Sequence, residues 1–186
     1  MTRPDTPISV LDEVRQLNQY FLEFLRERLA QDEAYGLPGT AAELLEKAPA
    51  GQIDNAARFP RALFRLCLPP RIPTPAIEPL TLAQGARGQV LKLVLLNAAC
   101  NFSRMSGYTA RLLLRLSDED VFRFRAAEVG DIVAWSRYDG LVRAAFDDLG
   151  WLWQLLLTEN RPEYRRRLML IGLQPDLAIV PATGLA

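Results

Sequence analysis

The chain contains no histidine, the side chain that most often acts as a general base or metal ligand near neutral pH. Serine–histidine and cysteine–histidine nucleophile pairs and most zinc sites are therefore excluded. Carboxylate chemistry remains, and the acidic groups that could supply it are Asp12 with Glu13, residues 118–120, and Asp147 with Asp148. The first two groups fall in first turns of predicted helices, where the helix dipole stabilises negative charge. Asp147 and Asp148 could instead pair with Arg143 or Arg111. We therefore predict a protein that is not an enzyme and uses no metal or cofactor.

The cysteines and the paired glycines give weaker signals. Cys67 and Cys100 lie among apolar neighbours and form no Cys-x-x-Cys motif, so we expect both to be reduced core side chains. The glycine pairs at 36–39 and 85–88 lack the strand–turn–helix context that a phosphate-binding loop needs.

The most basic segment lies near the end of the chain. It carries Arg161, Arg165, Arg166 and Arg167. Tyr164 lies among them, and arginine beside an aromatic ring suits contact with a nucleic-acid backbone. The alternative is a solvated helix face that is balanced by Glu159 and Glu163. We keep the four arginines as candidate nucleic-acid-binding residues, although no segment shows a clear helix-turn-helix pattern.

Large aromatic side chains are the candidates for a protein interface, because tryptophan is a frequent interface anchor. Trp151 and Trp153 are two residues apart on a predicted helix and so point in different directions. At least one of them should be partly exposed. The candidate interface residues are Phe21, Phe24, Trp151 and Trp153.

Composition describes an ordinary globular chain of 186 residues, with 49% hydrophobic and 24% charged residues. Basic and acidic residues both number 22, so the formal net charge is zero. Such a chain has no overall attraction to nucleic acid or to an anionic membrane. No apolar stretch is long enough to span a bilayer, and the first seven residues lack the apolar core of a secretory signal. These features predict a cytoplasmic protein without membrane contact.

Capping signals and helical periodicity predict an all-α chain. Capping boxes are predicted at Ser9, Thr40 and Ser117. The predicted helices cover about 9–34, 40–47, 52–58, 90–106, 108–116, 117–127, 131–137, 141–157 and 162–173. The apolar run 62–68 fits either a short helix or an extended segment, since periodicity cannot decide at that length.

The order of these signals occurs twice. A shift of 79 residues places Leu37 on Leu116 and gives five identities in the 23 positions of residues 37–59. The same shift places Leu17-Asn18 on Leu96-Asn97, and a one-residue deletion then places Arg65 on Arg143. An internal duplication is the interpretation we favour. Shared helical character is the competing explanation.

Five proline residues between 69 and 79 separate the two copies. The predicted organisation is a first helical unit (8–68), a proline-rich linker (69–88), a second helical unit (89–148), C-terminal helices (149–174) and a tail (175–186). Two such units in one chain would do what a two-fold homodimer does with two chains.

Both copies resemble the FlhD family, the small helical subunit of the bacterial flagellar transcription regulator. The first copy carries the resemblance in residues 17–20, Arg28 and residues 31–34. The second carries it in residues 108–116, 132–135 and 141–146. Together these segments span most of residues 10–148.

The resemblance implies two tandem FlhD-like units that form a pseudo-dimer, with the C-terminal helices added. It also implies transcription regulation of motility genes through a protein partner, an FlhC-like subunit or another regulator, with or without DNA contact. The cysteine that links the dimer in that family falls near Arg65 and Arg143, so no inter-subunit disulfide is expected. The alternative is a protein-interaction adaptor, associated with secretion or motility, that does not bind DNA. Homo-oligomer formation stays open.

Overall fold

The computed structural model describes residues 9–31, 33–69 and 86–172, and this part of the chain is mostly helical. It contains α-helices and one two-stranded antiparallel sheet. The expected all-α class is therefore confirmed at this level. No helix in these ranges has the length and apolar character that crossing a bilayer requires. The proline-rich segment 70–85 and the tail 173–186 lie outside the described residues.

The first helical unit consists of α1 (Val10–Leu29), α2 (Gly39–Lys47), α3 (Ala50–Ala57) and β1 (Phe64–Leu66). The side chain of Ser9 accepts a hydrogen bond from the Asp12 amide, as its capping signal predicts. The Thr40 capping box is wrong, because α2 begins at Gly39 behind Pro38 and has no side-chain cap. The first helix ends at Leu29 rather than near residue 34.

The second helical unit consists of α4 (Ala86–Met105), α5 (Gly107–Leu114), α6 (Asp118–Ala126), α7 (Val129–Ser136), a 3-10 turn (Asp139–Leu141) and β2 (Val142–Ala144). The capping box at Ser117 is confirmed: its hydroxyl accepts from the Asp120 amide, and the Asp120 carboxylate accepts from the Ser117 amide. Arg115, in the turn before α6, has a positive φ of 58°.

Two C-terminal helices complete the fold: α8 (Gly150–Thr158) and α9 (Pro162–Gly172). Pro162 is the first residue of α9, a position where its missing amide hydrogen costs nothing. Helix α8 packs on α2 and α3 of the first unit. The predicted continuous helix 141–157 is wrong, because residues 142–144 form β2 and only the later part is helical.

The two strands pair with each other, so they connect the segments that the sequence predicts as the two helical units. The register pairs Phe64 with Ala144, Arg65 with Arg143, and Leu66 with Val142. Two further backbone hydrogen bonds flank the pair, one from the Cys67 amide to the Leu141 carbonyl (2.7 Å) and one from the Ala145 amide to the Leu63 carbonyl (2.8 Å). The run 62–68 therefore takes the extended alternative.

The short elements α2, α3 and β1 have counterparts in the second predicted unit at a nearly constant offset. Adding 79 to the bounds of α2 and α3 gives the bounds of α6 and α7, and adding 78 to those of β1 gives those of β2. Gly36 and Arg115, 79 residues apart, both have positive φ. The long helices do not follow the predicted shift of 79, because adding 76 to the bounds of α1 gives the bounds of α4. The two aligned asparagines also differ, since Asn18 is fully buried whereas Asn97 is exposed.

Asn18 holds the connection between α3 and β1. Its Nδ2 lies 3.3, 3.1 and 2.9 Å from the carbonyl oxygens of residues 57, 59 and 61, and its Oδ1 accepts from the Leu63 amide at 2.8 Å. Unsatisfied backbone groups inside a protein are costly. A single asparagine on α1 therefore fixes the path that leads into β1.

Candidate binding surfaces

Arg161, the first candidate for nucleic-acid contact, is already bound by other side chains of the protein. Its Nη2 and Nε lie 2.8 and 3.0 Å from the two carboxylate oxygens of Glu159, and its guanidinium stacks on the Tyr164 ring at 4.0 Å. The hydrogen bonds from Arg161 lower the pKa of Glu159 to about 2, so the carboxylate is ionised at neutral pH. This bidentate pair leaves Arg161 poorly placed to contact phosphate.

The other three candidate arginines lie on α9 and differ in how freely they could contact a ligand. Arg165 donates from Nε to the Glu159 carbonyl (3.2 Å) and from Nη2 to Asn160 (2.7 Å). Arg166 and Arg167 are exposed. Arg167 also lies 5.7 Å from the centre of the Tyr164 ring. Of the four predicted residues, Arg166 and Arg167 are thus the ones whose charge faces solvent most freely.

Three of the four predicted interface residues are core residues. Phe21, Phe24 and Trp153 are buried, with exposed fractions of 0%, 7% and 0%. Phe21 packs edge-on against Phe64, and the Trp153 indole donates to the Ala145 carbonyl at 2.8 Å. Phe21 and Trp153 are therefore unavailable to a partner, which corrects the prediction, whereas Phe24 is buried but lines a surface cavity beside Tyr20. Trp151 is 39% exposed, as expected for one of the two tryptophans.

A groove runs along the outer side of α1 and α4, and we call it the long-helix groove. Two adjoining cavities of about 380 and 490 Å³ form it, and both are lined by Tyr20 and Val90. Val94 lies on the same face one helical turn after Val90. Tyr20, Val90 and Val94 are all exposed apolar or aromatic side chains. The acidic residues along the α1 side are Glu13, Glu23 and Glu27, the last of which pairs with Arg87.

A second groove lies between α3, α8 and α9, and we call it the C-terminal groove. Its volume is about 580 Å³. The side chains of Phe59, Leu156 and Met169 line it, and Arg165 and Arg166 lie at its edge.

The acidic groups have structural partners. The Asp12 carboxylate accepts from the Ser9 hydroxyl, the Asp120 carboxylate accepts from the Ser117 amide, and Arg111 donates to Asp118 at 2.6 Å. Asp147 lies 3.5 Å from Arg65, and not beside Arg143 or Arg111 as the sequence suggested. Among the described residues no three histidine, cysteine, aspartate or glutamate side chains cluster as metal ligands would.

The cysteines are both free thiols. Cys100 is buried, and this burial raises the pKa of its thiol. A thiol kept in its protonated form is a poor nucleophile, which fits a packing role. Cys67 is half-buried at the end of β1, two residues beyond Arg65.

Sequence reasoning missed both grooves. The long-helix groove left a signal, since Arg87, Val90, Val94, Asn97 and Asn101 recur at steps of three and four along α4. That pattern was hidden because α4 is apolar on several sides. The C-terminal groove left no recognisable signal in the sequence, because its walls come from three separate segments of the chain.

Comparison with known proteins gives no relative from which a function can be transferred. No protein-family model matches the chain, and no curated protein or solved structure shows significant similarity to it.

Proposed function

We propose that this chain is a non-catalytic regulatory subunit that acts by binding another protein. In this proposal two FlhD-like helical units form, within one chain, the equivalent of a two-fold homodimer. The partner is an FlhC-like subunit or a regulator of similar role, and the regulated process is transcription of motility genes.

The strand register is the observation that carries the proposal. With an offset of 78, exchanging the two units turns the 64–144 pair into the 66–142 pair and leaves Arg65 opposite Arg143. The same exchange turns the Cys67–Leu141 hydrogen bond into the Ala145–Leu63 hydrogen bond. Every antiparallel strand pair has such a local two-fold relation, but here its centre falls on Arg65 and Arg143, the two residues that the internal alignment places on each other. This coincidence supports a pseudo-two-fold axis between Arg65 and Arg143.

The position of that axis agrees with the family resemblance. The dimer-linking cysteine of the FlhD family falls near Arg65 and Arg143, the two residues that face each other on β1 and β2. In this chain a continuous polypeptide would make the covalent link unnecessary.

The long-helix groove is the surface that we assign to the protein partner. It exposes Tyr20, Val90 and Val94 along two adjoining cavities, and tyrosine is enriched where proteins meet. Phe24 forms part of the wall of this groove but is only 7% exposed, so Tyr20, which is 56% exposed, is the aromatic side chain that a partner contacts most.

Co-expression tests this assignment. We expect the full chain to co-purify with the FlhC-type subunit of the same genome as one complex whose mass is measured by light scattering. Tyr20→Glu and Val94→Glu should each weaken that complex at least about ten-fold, because each places a charge in a buried apolar contact. Leu11→Glu is the matched control, since Leu11 is an exposed apolar residue of α1 outside the groove. Absence of a complex, or equal effects of all three changes, would contradict the assignment.

Direct DNA contact is a second candidate function, favoured by the exposure of Arg166 and Arg167 on α9. It predicts that the full chain binds a labelled duplex DNA, measured by fluorescence anisotropy, with an affinity that falls between about 50 and about 200 mM salt. The double variant Arg166→Gln/Arg167→Gln should lower the salt slope by about 0.9 for each lost phosphate contact. If no binding occurs at low salt, the chain is left with protein contacts only.

A further inference from the structure

The C-terminal groove has the size and lining of a small-molecule site. Its volume of about 580 Å³ lies inside the range of roughly 300–1,000 Å³ that is usual for ligand pockets. Its apolar lining consists of Phe59 from the end of α3, Leu155 and Leu156 from α8, and Leu168, Met169 and Leu170 from α9. Phe59, Leu156 and Leu168 are largely covered, so they form the floor, whereas Leu170 is 66% exposed at the mouth.

The edge of this groove is basic. Three arginines line it, Arg58, Arg165 and Arg166, against one acidic residue, Glu159. The Glu159 carboxylate is already held by both nitrogens of Arg161, so it offers little neutralisation to the other arginines. Asp54 binds Arg15 as well as Arg58, so it neutralises Arg58 only in part. The lining of this groove therefore carries more positive than negative charge, although the whole chain has a formal net charge of zero.

Arg165 is oriented by one backbone acceptor and one side-chain acceptor. Its Nε bonds to the Glu159 carbonyl and its Nη2 to Asn160, at 3.2 and 2.7 Å. A guanidinium has five N–H donors, so these two bonds fix its plane and leave other donors for a ligand. Arg166, the next residue on α9, is exposed and lines the same edge.

We propose that the C-terminal groove binds a single-chain amphiphile with one anionic headgroup, of the fatty-acid type. The alkyl chain lies between Phe59, Leu156 and Met169. The carboxylate accepts hydrogen bonds from Arg165 and Arg166, since arginine pairs with carboxylate in a planar, bidentate geometry. This site lies on α3, α8 and α9, away from the long-helix groove that we assign to the protein partner, and it shares Arg166 with the candidate DNA contact.

Calorimetric titration of the full chain with dodecanoate tests the proposal, with dodecanol and acetate as probes that carry only the tail or only the headgroup. We expect one dodecanoate per chain, at least about ten-fold weaker binding of dodecanol, and no measurable binding of acetate. The double variant Arg165→Gln/Arg166→Gln should bind dodecanoate at least about ten-fold more weakly, the usual effect of losing a hydrogen bond to a charged group.

Two further variants separate a specific site from general effects. Arg167→Gln is the matched control, because Arg167 is an exposed arginine of the same helix that does not line the groove. The affinity of this variant for dodecanoate should stay within about two-fold of that of the unsubstituted chain. Met169→Trp should block binding by filling the space, while circular dichroism checks that the variant is folded. Absence of dodecanoate binding, equal affinity for dodecanol, or an unchanged double variant would each overturn the proposal. Absence of dodecanoate binding would instead favour an acidic segment of a partner protein as the occupant of the groove.

Discussion

Replacement of Asn18 by leucine should lower the free energy of unfolding by about 4 kcal/mol. The substitution removes the acceptor for the Leu63 amide and the donor for the carbonyls of residues 57, 59 and 61. Asn18 has no exposed surface. Water therefore cannot replace these bonds unless α1 separates from the loop 58–63, which connects α3 to β1. Each buried polar group left without a partner costs about 1–3 kcal/mol. Urea unfolding followed by tryptophan fluorescence measures the loss.

Asn97→Leu is the matched control for that experiment. Asn97 occupies the position that a shift of 79 residues assigns to Asn18, but it is exposed and its Nδ2 donates only to the Leu93 carbonyl of its own helix. We expect its unfolding free energy to stay within about 0.5 kcal/mol of the unsubstituted chain. Similar losses in both variants would contradict the prediction, because Asn97 makes no hydrogen bond to the segment that connects α3 to β1. The two units thus differ at a position where their sequences agree.

Helices were predictable wherever a local signal sets their ends. Ser117 and Asp120 cap α6 from within four residues, and Pro162 begins α9, so no distant contact is needed to place them. Thr40 carries the same signal but lies inside α2, because the preceding Pro38 and Gly39 let the helix begin earlier. A capping pattern therefore predicts that a helix begins nearby better than it predicts which residue is the cap.

Strand β2 was not predictable from local pattern. Residues 141–146 are apolar enough to continue a helix, and the sequence interpretation extended one through them. Their conformation is decided by β1, which lies 78 residues earlier and supplies the hydrogen-bonding partners. Phe146 then adopts a positive φ of 57°, with the Arg115 guanidinium 4.1 Å above its ring. Tertiary pairing overrides helical propensity here, as it often does for short strands.

The candidate sites, like the helices and strands, could be predicted from the sequence only in part, because distant contacts decide which side chains are accessible. The arginine content identified α9 as unusual. Only the positions of Glu159 and Asn160 show which arginines are already hydrogen-bonded within the protein. Aromatic content identified Phe21 and Trp153, and the fold places both in the core. Residue type indicates what a side chain can do, whereas burial decides whether a partner can reach it.

Replacement of Trp153 by alanine should cost about 4 kcal/mol, the second large effect that we expect. Trp153 is fully buried, and its indole donates to the carbonyl of Ala145, whose own amide donates to Leu63 in the opposite unit. Helix α8 is in this way tied to the end of the strand pair. Trp153→Phe keeps most of the volume and loses the hydrogen bond, so it should cost about 1–2 kcal/mol. Trp151→Ala, at an exposed position of the same helix, should cost less than about 1 kcal/mol.

Hydrogen exchange distinguishes a simple cavity from a loosened strand pair in the Trp153 variants. If Trp153 supports the contact between the units, the amides of Ala145 and Cys67 should exchange faster in Trp153→Phe than global destabilisation alone would cause, because both donate across the strand pair. The Cys67 amide is the decisive probe, since its acceptor Leu141 lies at the other end of the pair from Ala145. Faster exchange at Ala145 alone would limit the effect of Trp153 to its own hydrogen bond. Faster exchange at both would mean that α8 stabilises the whole strand pair, and with it the contact between the two units.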